Sequence, residues 1–391
     1  MKIRIFSVLS FLLLFTCILD PANLLLGIKD ILFVLMVLLF FALWNPNYKF
    51  PAKMVHFIAL FTAIPIISII IFLLRNFSIP PDYLGFGYLK CYLFLFIVFI
   101  FINYNVNVLK MLLLLLNLMA ILTLCINFLS FPGSELHAWG DTYVIFSMDF
   151  RKYGPVDYAY TYFHTAPLFV ISLCYYWWHY LEERGWKNLL LTVLAFLAML
   201  NSGTRGNIFA AFIILFFLPY IRLNIQNKVL FGLIIGSCIV VYLFTSETIS
   251  SMFSSVDYSN NIKLSFLADY RREIFKFPDF FIGQGLGSEF YATILKRFES
   301  ITELTYLETI RRYGVILAGL TFLCMFFPVM TTWRNKQLRW LSVSYFVFLL
   351  ASAFNPFYFS SNGMIILSIV LCISHINQKD NDKKIGERCS A

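Results

Sequence analysis

Apolar runs of roughly 15–22 residues recur from one end of this chain to the other, and that repetition leaves few folds open. A helix of about 20 such residues spans the ~30 Å hydrocarbon layer of a bilayer. Only helices and closed barrels satisfy their backbone hydrogen bonds in that layer. Barrel strands alternate polar with apolar residues, and these runs do not. Composition points the same way: 60% of the 391 residues are hydrophobic and 13% are charged, where water-soluble domains carry about 25% charge. The expected fold class is all-α, a polytopic integral membrane protein of about twelve transmembrane helices in a single domain over residues 1–391. The runs lie near 5–19, 24–44, 54–74, 88–102, 108–130, 163–181, 187–201, 206–221, 229–245, 313–332, 338–354 and 357–376.

Lysine and arginine set the orientation. With the N-terminus inside, the cytoplasmic connections collect Lys2, Arg4, Lys49, Lys53, Lys110, Arg184, Lys187, Arg222, Arg334, Lys336 and Arg339. The other side holds most of the acids and two long outward loops, 131–162 and 246–312. An even span count returns the C-terminus to the inside, where 377–391 forms a basic cytoplasmic tail. The net charge of +9 is then a consequence of topology rather than of affinity for nucleic acid. Asp380 and Asp382 in that tail read as a solvated end rather than a metal motif. Lys2 and Arg4 precede an apolar run with no small-residue cleavage site, so an uncleaved first helix is expected. The first seven of the eight cysteines lie in or beside apolar runs and Cys389 is in the tail. No disulfide framework or CxxC metal site follows from them.

Candidate chemistry falls in four places. Arg205 sits in the tight turn NSGTRGN between two runs of only about 15 residues, each roughly 22 Å long as a helix. Such short helices draw their connection below the headgroups, where a guanidinium calls for an anion. Gly203 and Gly206 beside it allow close backbone approach. Arg271 and Arg272 are suited to clamping a diphosphate, or else to pairing with Asp269, Glu273 and Asp279. In GQGLGS, Gly283, Gly285 and Gly287 are misplaced for a dinucleotide fingerprint and form either a backbone-amide nest or a plain turn. Glu303 opens an amphipathic run in which Leu307, Ile310 and Gly314 share a face suited to packing on the membrane domain. Glu308 and Arg312, spaced i, i+4, are expected to pair on another face. Glu303 then has no obvious partner and is either a general base or a charge favoured by the helix start. The aromatics and acids of 131–162, including Trp139, Tyr160 and Tyr162, suit sugar rings or an interfacial belt. The five histidines lack paired-ligand spacing.

Together these pieces resemble the O-antigen polymerase and ligase superfamily of integral membrane enzymes. The resemblance rests on SGTRGN between two mid-chain helices, on YRREIFKFPDFFIGQGLGS, and on ELTYLETIRRYGV running to a glycine at the start of the next span. These cover roughly 187–330, and the remainder matches in hydropathy alone. Where the ligase branch carries His-Asn, this chain has Glu303 and Leu304, so it looks more like the Wzy-type polymerase branch. The stretch between Arg272 and Pro278 is about two helical turns shorter than in typical ligases, which leaves either Arg271 or Arg272 for the phosphate role.

The resemblance implies an inverting, metal-independent glycosyltransferase without cofactor, in the inner membrane. It would join oligosaccharide repeat units carried on undecaprenyl diphosphate at the periplasmic face, with a chain-length regulator protein among the partners such enzymes take. Glu303 and Arg205 are the implied catalytic residues. Arg205, Arg271, Arg272, Gly283, Gly285 and Tyr306 are the implied substrate-binding set. The alternatives are a ligase that transfers polymer to a lipid A core and a flippase for the lipid-linked oligosaccharide. A flippase would be expected to carry charges within its spans and a two-fold hydropathy repeat.

Overall fold

The computed structural model describes residues 2–20, 27–76, 86–131, 133–142, 146–153, 156–223, 258–275, 278–353 and 357–389. The run near 229–245 and the first part of the second polar loop lie outside the described residues. The order of elements is α1 (Lys2–Leu19), α2 (Ile28–Ala42), α3 (Ala52–Asn76), α4 (Phe86–Leu93), α5 (Ile97–Asn103), α6 (Val108–Leu129) and α7 (Glu135–Thr142). A hairpin of β1 (Phe146–Tyr153) and β2 (Val156–Phe163) follows, then α8 (Phe169–Glu183), α9 (Trp186–Asn201) and α10 (Arg205–Arg222). The last part holds α11 (Tyr258–Ile274), α12 (Asp279–Ile282), β3 (Phe290–Ala292), β4 (Arg297–Glu299), α13 (Thr305–Trp333), α14 (Arg339–Ser352) and α15 (Ser361–Cys389).

The described chain is mostly helical, and every expected span within it coincides with helix. Five helices, α1, α3, α6, α10 and α13, are long and apolar enough to cross a membrane. The remaining apolar helices are shorter or broken. A 3-10 turn at Phe94–Phe96 separates α4 from α5, and α8, α9 and α14 have 15, 16 and 14 residues. The helices bury one continuous core that includes Leu13 and Leu14 of α1, Leu112 and Leu116 of α6, Phe169 and Leu173 of α8, Phe348 of α14 and Leu367 of α15. Outside it, Leu74, Phe128, Phe209 and Leu323 are exposed, an apolar exterior that water would penalise and lipid would not. Lipid offers no hydrophobic drive for helices to associate, so close packing must supply it. Ala195 and Ala198 of α9 and Ala210 and Ala211 of α10 are buried accordingly. Arg184, left-handed at φ 55, ends α8 and turns the chain directly into α9.

The expectation of an all-α protein is corrected by two short antiparallel hairpins. In the first, Phe146 pairs with Phe163 and Met148 with Thr161, and all four side chains are buried. This period-two burial is what holds 146–163 as strands rather than as an open loop. Tyr160 and Tyr162, one step out of phase with Thr161 and Phe163, lie on the opposite face. In the second hairpin, Phe290–Ala292 pairs with Arg297–Glu299. It belongs to a small separate cluster in which Phe266, Tyr270 and Ile274 of α11 pack with Phe290 and Ala292, and Leu307 and Ile310 of α13 rest against them. The face of α13 expected to lie on the membrane domain therefore meets this extramembrane cluster as well.

Charge also enters the helix ends. Lys29, the second residue of α2, is buried and donates to the carbonyl of Asp20 at 3.4 Å and to Ser361 Oγ at 3.1 Å. These contacts tie α1, α2 and α15 together at one end of the bundle.

Candidate functional site

The GQGLGS turn and the RRYG end of the amphipathic run form one structure. Gly314, at φ 67 and ψ 169, interrupts α13 and separates a polar segment before it from an apolar span after it. Gln284 N donates to the Arg311 carbonyl and Gly285 N to the Arg312 carbonyl, both at 2.9 Å, and Leu286 N reaches the Ser68 carbonyl of α3 at 3.2 Å. Gly283 N donates to Asp279 O at 2.8 Å. A Cβ on Gly283 would meet Arg312 O at 2.3 Å, and one on Gly314 would meet Phe281 O at 2.3 Å. Both glycines have positive φ, 82° and 67°, so the contact demands glycine twice over. These bonds correct the nest reading for Gly283 and Gly285. Their amides already have backbone acceptors, and the two residues serve close approach between the turn, α3 and α13.

Under this contact lies a buried charge cluster. Arg311 is 1% exposed, Arg312 3% and Glu308 5%. Glu308 Oε1 accepts from Arg311 Nη2 at 2.7 Å, and its Oε2 accepts from Arg311 Nε at 3.0 Å. Arg312 Nε also lies against Glu308 Oε1, the i, i+4 pair expected from the sequence. Tyr270 of α11 donates its hydroxyl to Glu308 Oε2 at 2.5 Å. Arg311 Nη1 further reaches Gln284 Oε1 at 2.7 Å and Ser288 Oγ at 2.9 Å. Arg312 Nη2 donates to the Ser300 carbonyl, and its guanidinium lies 5.0 Å over the Tyr88 ring. Burial alone would raise the Glu308 carboxyl, but the guanidinium groups of Arg311 and Arg312 override it and hold the group well below the usual carboxylate range. Glu308 is thus a fixed anion and not a proton acceptor at neutral pH. Sequence reasoning assigned these arginines no site role; the signal was two consecutive arginines in a segment that must pack on both sides.

A cleft of about 300 Å³, counting the part open to solvent, borders this cluster and is lined by Tyr88, Thr302, Thr305, Glu308, Thr309, Arg312 and Phe359, among others. The binding candidates read from sequence distribute around it unevenly. Tyr306 is half-buried and donates to the Leu349 carbonyl of α14 at 2.6 Å, which commits its only proton to holding two helices together. Glu303, whose side chain is 52% exposed, is not unpartnered: Lys263 Nζ of α11 lies 2.8 Å from its Oε2. Arg272 pairs with buried Asp269 at 2.8 Å and reaches Thr293 Oγ1 at 3.3 Å. Arg271 is exposed and makes no ion pair among the described residues.

Arg205 is the first residue of α10 and half-buried. The preceding turn is held by Ser202, whose Oγ donates to Met199 O at 2.7 Å and accepts from Asn207 Nδ2 at 3.1 Å. Gly203, at φ 65, lies under the Tyr160 ring so closely that a Cβ would fall 2.3 Å from its Cγ. Two residues along the same face of β2, Tyr162 has its phenol pushed up by burial first, then by the negative charge of Glu303 and by Tyr160. The β2 strand therefore runs between the Arg205 turn and Glu303, residues distant in sequence. Among the described residues no three His, Cys, Asp or Glu side chains come together in a way that would hold a metal ion. No protein-family model matches the chain, and no curated protein matches it in sequence.

Proposed function

We propose that this chain is a bacterial inner-membrane glycosyltransferase that polymerises oligosaccharide repeat units carried on undecaprenyl diphosphate into O-antigen or a related surface polysaccharide. The observation that carries the reading is the path of β2: Tyr160 packs on the turn that bears Arg205, and Tyr162 senses the charge of Glu303. Aromatic rings with hydroxyl edges between a cation and a carboxylate suit a sugar chain that carries a diphosphate at one end. About twelve spans place both termini in the cytoplasm and put this face outside.

In the proposed reaction an acceptor sugar hydroxyl attacks the anomeric carbon of the donor chain. The new C–O bond forms as the bond from that carbon to the diphosphate oxygen breaks, and the lipid diphosphate leaves with the electron pair. Guanidinium groups aimed at that leaving charge lower the barrier. Arg205 takes this role, with Arg271 rather than Arg272, because Asp269 already neutralises Arg272. The hydroxyl proton passes to Glu303, which is exposed and reachable once Lys263 swings aside. Glu308 cannot serve, since two arginines hold it.

The ligase and flippase readings rank lower. The ligase histidine is replaced by Glu303, and the strongest buried charge cluster lies before Gly314, outside the apolar part of α13. A gene-deletion strain complemented with wild type, Arg205→Ala or Glu303→Gln tests the roles on a gel of surface polysaccharide. Wild type restores the ladder and both variants leave single repeat units at normal protein level. Wild-type ladders from both variants would remove the mechanism.

A further inference from the structure

The cleft beside Arg312 carries a charge imbalance that the transfer chemistry does not use. Arg311 and Arg312 share one carboxylate, Glu308, so one positive charge is in excess in a buried cluster. The other acids of the surrounding elements are committed elsewhere: Asp269 to Arg272, Glu299 to Arg297, and Glu303 to Lys263. Glu273 lies 3.9 Å from Arg272 and accepts from Gln284 Nε2 at 3.3 Å. A buried charge without compensation is costly, and an anion in the cleft would relieve it.

The lining fits an oxyanion borne by a sugar. Arg312 donates a hydrogen bond to the Tyr88 phenol oxygen, which leaves the Tyr88 proton free to be donated onward. Tyr88 and Phe359 present rings, and Thr302, Thr305 and Thr309 present hydroxyl groups. Aromatic faces with hydroxyl edges accommodate a pyranose, while the excess guanidinium charge matches a single negative charge. We propose that this cleft binds one oxyanion of the saccharide–lipid ligand, either a sugar carboxylate or a lipid phosphate. If it is the carboxylate, the repeat unit handled here contains an acidic sugar. The proposal deepens the reading above. Its test is scored on binding and not on chain growth, so either can fail while the other stands.

The full-length protein in phosphatidylcholine nanodiscs would be unfolded thermally at constant ionic strength. The probes are sodium glucuronate, glucose, and a polyprenyl phosphate included in the disc. A rise in Tm with glucuronate identifies a sugar carboxylate, a rise with polyprenyl phosphate identifies a lipid headgroup, and glucose gives none. Tyr88→Phe keeps the ring over Arg312 and removes only the donor, so it should weaken the response about tenfold in ligand concentration. Arg312→Lys keeps the charge without the fork and should weaken it as well. No rise with either anion, or an undiminished response in Tyr88→Phe, overturns the proposal.

Discussion

Glu308→Gln removes one negative charge from between two guanidinium groups while keeping the side-chain volume. The variant leaves Arg311 and Arg312 facing each other's charge with an amide oxygen in place of the carboxylate. It loses the ionic part of the 2.7 and 3.0 Å bonds from Arg311 and of the contact with Arg312 Nε. Removing one partner of a buried ion pair costs about 3–5 kcal/mol, mostly as the penalty of the charge left behind. Against a total stability of about 5–15 kcal/mol, and at about 2–4 °C per kcal/mol, the apparent Tm should fall by roughly 6–20 °C. Intrinsic fluorescence of the detergent-purified protein during heating would read it.

The pH dependence supplies the control. The Glu308 carboxyl is depressed in the folded state, from 4.5 to about 2. Its contribution is therefore complete above about pH 4.5 and disappears as the pH falls toward about 2. The gap in Tm between wild type and Glu308→Gln should close over that window. A loss of under about 2 °C at pH 7, where the cost predicted for a buried pair is several-fold larger, would refute the reasoning. So would a gap that does not change with acid.

Three further outcomes follow from the same geometry. Gly283→Ala and Gly314→Ala should each cost several kcal/mol, about 1–2 from the left-handed backbone and the rest from the backbone clash, and should be seen as loss of folded protein on size exclusion. Tyr306→Phe frees the Leu349 carbonyl and should lower stability by about 1 kcal/mol with chain growth intact, because its hydroxyl is structural. Arg271→Ala should reduce chain growth more than Arg272→Ala in a complementation gel, since Arg272 already spends its charge on Asp269.

Some of this was legible in the sequence because it depends on short-range spacing. Run length located the helices, and the i, i+4 order of Glu308 and Arg312 announced their pair. The first hairpin was missed because its aromatics were weighed as a sugar surface or a belt, although Phe146, Met148, Thr161 and Phe163 alternate as a half-buried strand should. Glu303 was read as unpartnered because Lys263 lies forty positions earlier, beyond any helical spacing. The burial of Arg311 was hidden for a similar reason. Its acceptors, Gln284 and Ser288, come from the glycine turn, and nothing local says that this turn folds back on α13. The glycines of that turn carried a true signal of close approach but not its object, which is backbone rather than ligand.

The central claim is transfer between lipid-linked saccharides, and reconstitution tests it most directly. The purified protein in proteoliposomes, supplied with undecaprenyl-diphosphate-linked repeat units from the source organism, should lengthen the saccharide chain. It should release one undecaprenyl diphosphate for each bond formed, without an added nucleotide sugar. Movement of the repeat units across the bilayer with no gain in chain length would contradict the account and identify a flippase instead.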